Sequence, residues 1–112
     1  MRLEGRTIMT GEFLKIAKTS DVPAGAVRVF QAGGRQVALC NVEGQFFAVA
    51  DLCTHDDGPL GEGELDDHQI ECPRHGARFD IRTGKALCLP AVVPVPTFPV
   101  EVRGDDIYVG VN

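Results

Sequence analysis

Short apolar runs, many alternating with polar residues and bounded by glycine, proline or carboxylate clusters, recur along this chain. A period of two turns one face of an extended segment to a core, so the pattern predicts strands rather than long helices. A first strand is expected over Phe13–Ala17, followed by a turn at Asp21-Val22-Pro23-Ala24-Gly25. Val27–Gln31 and Gln36–Asn41 read as a hairpin closed by Ala32-Gly33-Gly34-Arg35, and a turn at Glu43-Gly44 leads into Phe46–Ala50. The pattern then breaks. Between Leu52 and Glu71 glycines and carboxylates dominate. Strand-like stretches return at Gln69–Glu71 and Phe79–Ile81, followed by a turn at Arg82-Thr83-Gly84-Lys85 and a proline-rich stretch from Leu89 to Pro99. A last hairpin pairs Val100–Arg103 with Ile107–Val111 around Gly104-Asp105-Asp106. The expectation is a single all-β domain, 1–112, whose β base is interrupted by a loop-rich insert at about residues 51–91. Residues 1–11 are expected to be a loose tail, with Met9 as an alternative start.

The length of 112 residues suits one compact core. Apolar and charged shares of 44% and 24% are those of a globular protein. A net charge of −5 removes the basic face that a nucleic-acid binder needs. No run approaches the roughly 18 apolar residues of a membrane span, and the N-terminus lacks the apolar segment of a secretory signal. The cytoplasm is therefore the expected compartment, and four cysteines there read as metal ligands or buried thiols rather than disulfides.

The insert carries Cys53-Thr54-His55 and, after sixteen intervening residues, Cys72-Pro73-Arg74-His75-Gly76. Two thiolates and two imidazoles offer four ligands of the soft or borderline kind. A structural zinc site would accept them, although Cys-x-His is not a usual zinc spacing. The arrangement Cys-x-His then Cys-x-x-His also fits a [2Fe–2S] cluster in which two His replace two Cys on one iron. The oxidised core carries +2, so two thiolates and neutral imidazoles bring the site to zero, against −2 for four thiolates. An electron enters a neutral site more readily, and the potential rises.

These paired boxes resemble the Rieske family, most closely its soluble ferredoxins that serve ring-hydroxylating oxygenases. The resemblance runs from about Phe13 to Val111 and extends to Gly76-Ala77-Arg78-Phe79-Asp80, Thr83-Gly84-Lys85-Ala86 and Leu89-Pro90-Ala91. It implies a three-sheet antiparallel β fold with a small loop-rich cluster-binding subdomain. It further implies Cys53 and Cys72 on the buried iron, His55 and His75 on the outer iron, and one [2Fe–2S] cluster per chain. Leu60 and Pro90 would cover the site. The implied partners are a flavin-containing, NAD(P)H-dependent reductase and a terminal Rieske oxygenase. The implied role is a one-electron carrier and not an enzyme with its own substrate; the chain is too short for an oxygenase catalytic domain. The alternative is a non-shuttling small subunit of a larger reductase, such as a nitrite reductase. Members in respiratory complexes carry an extra Cys in each loop, where this chain has Gly58 or a neighbour and Arg74. Their Ser and Tyr hydroxyl donors are matched here by Ala77 and Phe79. Both departures imply a potential in the lower part of the Rieske range, near ~−150 mV.

The remaining candidates receive plainer readings. Cys40, in a strand between Leu39 and Asn41, and Cys88, between Leu87 and Leu89, are expected to be packed thiols. His68 is expected in an exposed turn. Asp56, Asp57, Glu62, Glu64, Asp66, Asp67 and Glu71 form an acidic run that either solvates the loop or steers a partner, with Arg74, Arg78, Arg82 and Lys85 as an opposing basic patch.

Overall fold

The computed structural model describes residues 12–54, 58–74 and 76–111. The expected tail lies outside them. Among the described residues eleven strands follow one another: β1 (Glu12–Lys18), β2 (Val27–Ala32), β3 (Arg35–Val42), β4 (Gln45–Ala50), β5 (Glu64–Asp66), β6 (Gln69–Glu71), β7 (Arg78–Asp80), β8 (Ala86–Cys88), β9 (Thr97–Phe98), β10 (Val100–Arg103) and β11 (Asp106–Val111). Single turns of 3-10 helix occur at Thr19–Asp21 and Leu60–Glu62. The strands pair antiparallel in three sheets, ordered β9-β4-β3-β2, β10-β11-β1 and β5-β6-β7-β8. This is the all-β, three-sheet architecture expected, and the third sheet is drawn from the chain between β4 and β9.

The first sheet organises the others because its middle strand is buried on both faces. Successive side chains of a strand point to opposite faces. Val37 and Leu39 of β3 join Ala17, Val22, Ile107 and Val109 in one core, beneath the β10-β11-β1 sheet. Ala38, Cys40 and Val42 join Leu60, Ile70, Phe79 and Ile81 in a second core, beneath the β5-β6-β7-β8 sheet. Burial on both sides explains why Val37–Cys40 reads as a continuous apolar run rather than an alternation. Asn41 is the buried polar residue of this strand, and its amide is satisfied at both ends. Its Nδ2 donates to the Val22 carbonyl at 2.7 Å, and its Oδ1 accepts from the Gly44 N–H at 2.8 Å. The β2–β3 hairpin turns on Gly33-Gly34, both at positive φ, the geometry that two-residue hairpin loops require.

The structure differs from the expectation where strands are too short to show a period. Glu64–Asp66, Ala86–Cys88 and Thr97–Phe98 span three, three and two residues, too few for an alternation to show. β7 begins and ends one residue earlier than expected, at Arg78–Asp80, beside a bulge between Arg78 and Phe79.

The seam between β5 and β6 leaves no room at its start. A Cβ at Gly63 would overlap the Glu71 backbone carbonyl. Gly63→Ala is expected to cost about 1–3 kcal/mol by overpacking. Thermal denaturation would show this as a midpoint lowered by several degrees. An unchanged midpoint would show that the Glu71 strand yields freely.

Candidate metal centre

The two boxes leave the second core by matched loops. Cys53 lies just past the end of β4, and Cys72 directly follows β6. The Cys53 N–H donates to the Gly58 carbonyl at 2.8 Å, and the Cys72 N–H donates to the Ala77 carbonyl at 2.7 Å. Each bond closes a loop from the cysteine to the fifth residue after it. The second loop is further tightened by Gly76, at φ 77°, whose N–H donates to the Cys72 carbonyl at 3.1 Å. Both cysteines are buried, at 0% and 1% exposure, in one core with Leu60, Ala77, Phe79 and Ala91. The residues that follow are less buried, with Pro73 and Arg74 exposed and Thr54 half-buried. Each box therefore starts in the apolar interior and climbs outward. His55, Asp56, Asp57 and His75 lie outside the described residues. Among the described residues no three His, Cys, Asp or Glu side chains converge.

The chain between β8 and β9 closes over this region. Ala91 is buried in the core, Pro90 is half-buried, and Leu89, Val92 and Val93 are exposed at 75%, 75% and 55%. The Thr54 hydroxyl donates to the Val93 carbonyl at 2.6 Å, tying this loop to the first box. The Cys88 thiol faces the Gly76 carbonyl at 3.6 Å, beside the second. Leu60, expected as a cover, is fully buried in the same core as Cys53 and Cys72.

Several plainer expectations are corrected. Arg78 and Arg82 do not form a free basic patch. Arg78 bonds Glu71 at 2.9 Å, Asp66 at 3.4 Å and Gln69 at 3.3 Å. Arg82 grips Asp80 through Nε and Nη2 at 3.1 and 3.0 Å, and these bonds hold the Asp80 carboxyl below its ordinary pKa. His68 lies in a turn, as expected, but is half-buried rather than exposed. Its ring packs edge-on against Phe47 at 5.6 Å, and Nδ1 sits 3.3 Å from the Asp67 carboxylate. Cys40 is packed as expected, and burial pushes its thiol up to about 12. Cys88 is not packed: it stands exposed on edge strand β8. Sequence reasoning missed the Thr54 tether and the Glu71–Arg78 pair, because neither partner is marked by spacing alone.

Two thiols sunk in one apolar core at the roots of two surface loops are a donor set suited to a soft metal centre shielded on its inner side. With that geometry in view, comparisons with known proteins are informative. Residues 12–99 match the model of the Rieske [2Fe–2S] domain. The chain is 46% identical over 95 residues to the ferredoxin component of biphenyl 2,3-dioxygenase from Rhodococcus jostii RHA1, covering 85% of this chain and 89% of that protein. It resembles in structure the ferredoxin of carbazole 1,9a-dioxygenase from Nocardioides aromaticivorans IC177, with a TM-score of 0.85, 32% identity, and coverage of 88% and 96%. It is also similar to a chain in a complex of reduced oxygenase and oxidized ferredoxin in carbazole 1,9a-dioxygenase, with a TM-score of 0.82, 39% identity, and coverage of 88% and 92%.

The contrast between the two outlying cysteines is directly measurable. A thiol reagent added to the folded protein should modify exposed Cys88 rapidly and leave buried Cys40 untouched until denaturant is added. Labelled peptides, read by mass spectrometry, would show the reverse order if this assignment is wrong.

Proposed function

The chain belongs to the Rieske [2Fe–2S] family and carries one [2Fe–2S] cluster, and from that premise we propose that it shuttles single electrons from a flavin-containing, NAD(P)H-dependent reductase to a terminal oxygenase. Cys53, His55, Cys72 and His75 are the proposed ligands, two thiolates on the inner iron and two imidazoles on the outer. The observation that carries this reading is the burial of Cys53 and Cys72 in one core at the roots of matched loops. The zinc alternative is set aside by the family. The cluster supplies a reversible one-electron site with no proton or group to transfer.

The residues of this chain shape that site. Leu60, Ala77 and Phe79 keep water from the inner side, and neither Ala77 nor Phe79 offers a hydroxyl to a sulfur. A potential near the lower limit of the Rieske range, ~−150 mV, follows. Thr54 braces the first loop against Val93. Leu89, Val92 and Val93 are exposed apolar side chains of the adjoining loop, and an oxygenase that comes close enough to accept an electron would cover them. The reductase-subunit alternative would hold this face permanently covered; relatives named as ferredoxin components favour the shuttle. No helix among the described residues is long and apolar enough to cross a membrane, and the proposed site of action is the cytoplasm.

The decisive test is ligand replacement. Cys53→Ala, His55→Ala, Cys72→Ala and His75→Ala should each abolish or cripple cluster binding, whereas Cys40→Ser and Cys88→Ser should keep it. Iron content and the visible spectrum check both. A cluster lost on Cys88→Ser and kept in His75→Ala would refute the assignment.

Partner contacts should divide by salt. Neutralising Asp56, Asp57, Glu62 and Glu64 together should slow reduction by the reductase chiefly at low ionic strength, since exposed charges act over about 10 Å at 0.1 M salt. Leu89→Ser with Val92→Ser should slow delivery to the oxygenase at every salt concentration, because apolar contact is not screened. Stopped-flow rates across a salt series separate the two, and identical salt dependence for both sets would contradict this division.

A further inference from the structure

The second box is the loop of a hairpin, and the rung beneath it is an ion pair. In the β6–β7 register Glu71 faces Arg78, directly below the Cys72–Ala77 loop. The Arg78 Nη2 donates to Glu71 Oε1 at 2.9 Å, while Nη1 reaches Asp66 and Gln69 on the same side. The other carboxylate oxygen of Glu71 leans toward the loop, 3.7 Å from where a Cβ on Gly76 would stand. Glu71 also has an acidic neighbour on its far side. Glu64 opposes it in the β5–β6 register, and with Glu62 and Pro73 these residues line a cleft of about 300 Å³. Like charges opposite one another across strands repel. At the root of the loop, Arg78 meets this carboxylate.

We propose that Arg78 is a positioning residue that acts on the metal centre through Glu71. It fixes the base of the Cys72 loop, and it offsets the carboxylate immediately preceding Cys72, so that the centre accepts an electron more readily than it would beside a bare Glu71. The proposal rests on the reading of Cys72 as a ligand. Its sign follows from Coulomb's law. Adding an electron beside an uncompensated carboxylate costs more than adding it beside a neutralised one. Side chains of the pair are 37% and 42% exposed, so solvent and salt screen the effect without abolishing it.

The test uses the holoprotein alone, with voltammetry as the readout and the visible spectrum as the control for an intact cluster. Arg78→Gln should lower the equilibrium constant for reduction at least threefold, ~28 mV at ~59 mV per tenfold for one electron. Glu71→Gln should raise it, and the double variant should fall between the two. Arg78→Lys, which keeps the charge and loses the fork, should stay near the parent. The shifts should shrink in concentrated salt. Glu101→Gln and Arg103→Gln, which break a comparable pair at 2.8 Å on β10 in another sheet, should leave the potential unchanged. A merely structural brace would move Arg78→Gln and Glu71→Gln in the same direction, or not at all, and would overturn the proposal. Should Arg78→Gln fail to hold its cluster, Glu71→Gln still decides: a raised potential supports the proposal and an unmoved one refutes it. A parent without iron would instead refute the ligand assignment.

Discussion

Everything in this fold answers to one constraint: two thiols must lie in an apolar interior while the residues next to them are already partly or fully exposed. A buried thiolate is costly unless a cation takes up its charge, and Cys40 shows the alternative, a thiol that burial drives up to about 12 and keeps protonated. Cys53 and Cys72 share that same core. What separates them from Cys40 is their place at the head of loops. Each is locked at its root by its own N–H, donated to a carbonyl five residues on. These bonds fix the start and end of each loop without needing a strand to continue it.

Loops of this kind need a rigid floor. The β3 strand supplies it by being buried on both faces, so that displacing it would disturb two cores together. Burial of an aliphatic side chain is worth roughly 1.5–3 kcal/mol, and Val37, Leu39 and Val49 are fully buried on this sheet. The small β5-β6-β7-β8 sheet has only short strands, and it depends on that floor for the Ile70, Phe79 and Ile81 contacts that fix it. An electron carrier gains from such stiffness, because little rearrangement then accompanies each change of charge.

Much of this was legible in the sequence, for physical reasons. The paired glycines at 33 and 34 and the Glu43-Gly44 turn fixed two hairpins, and the ligand boxes announced themselves by spacing. The strands of the insert were harder. Glu64–Asp66 and Ala86–Cys88 are shorter than a readable alternation, and they exist because neighbours pair with them. The exposures of His68 and Cys88 depart from expectation for the same reason. The partial burial of His68 comes from Phe47, twenty-one positions earlier in the chain, and the exposure of Cys88 comes from its place on an edge strand. Arg78 looked like part of a basic patch until cross-strand register set it against Glu71.

The central claim is that two imidazoles and two thiolates hold one cluster, and that the added electron resides on the iron bound by imidazole. Electron–nuclear spectroscopy of the dithionite-reduced protein tests it most directly, since a nitrogen bonded to the paramagnetic centre is coupled far more strongly than one across a hydrogen bond. The account predicts two strongly coupled nitrogens, both replaced by ¹⁵N signals after labelling with ¹⁵N-histidine. A reduced cluster with no strongly coupled histidine nitrogen would contradict it.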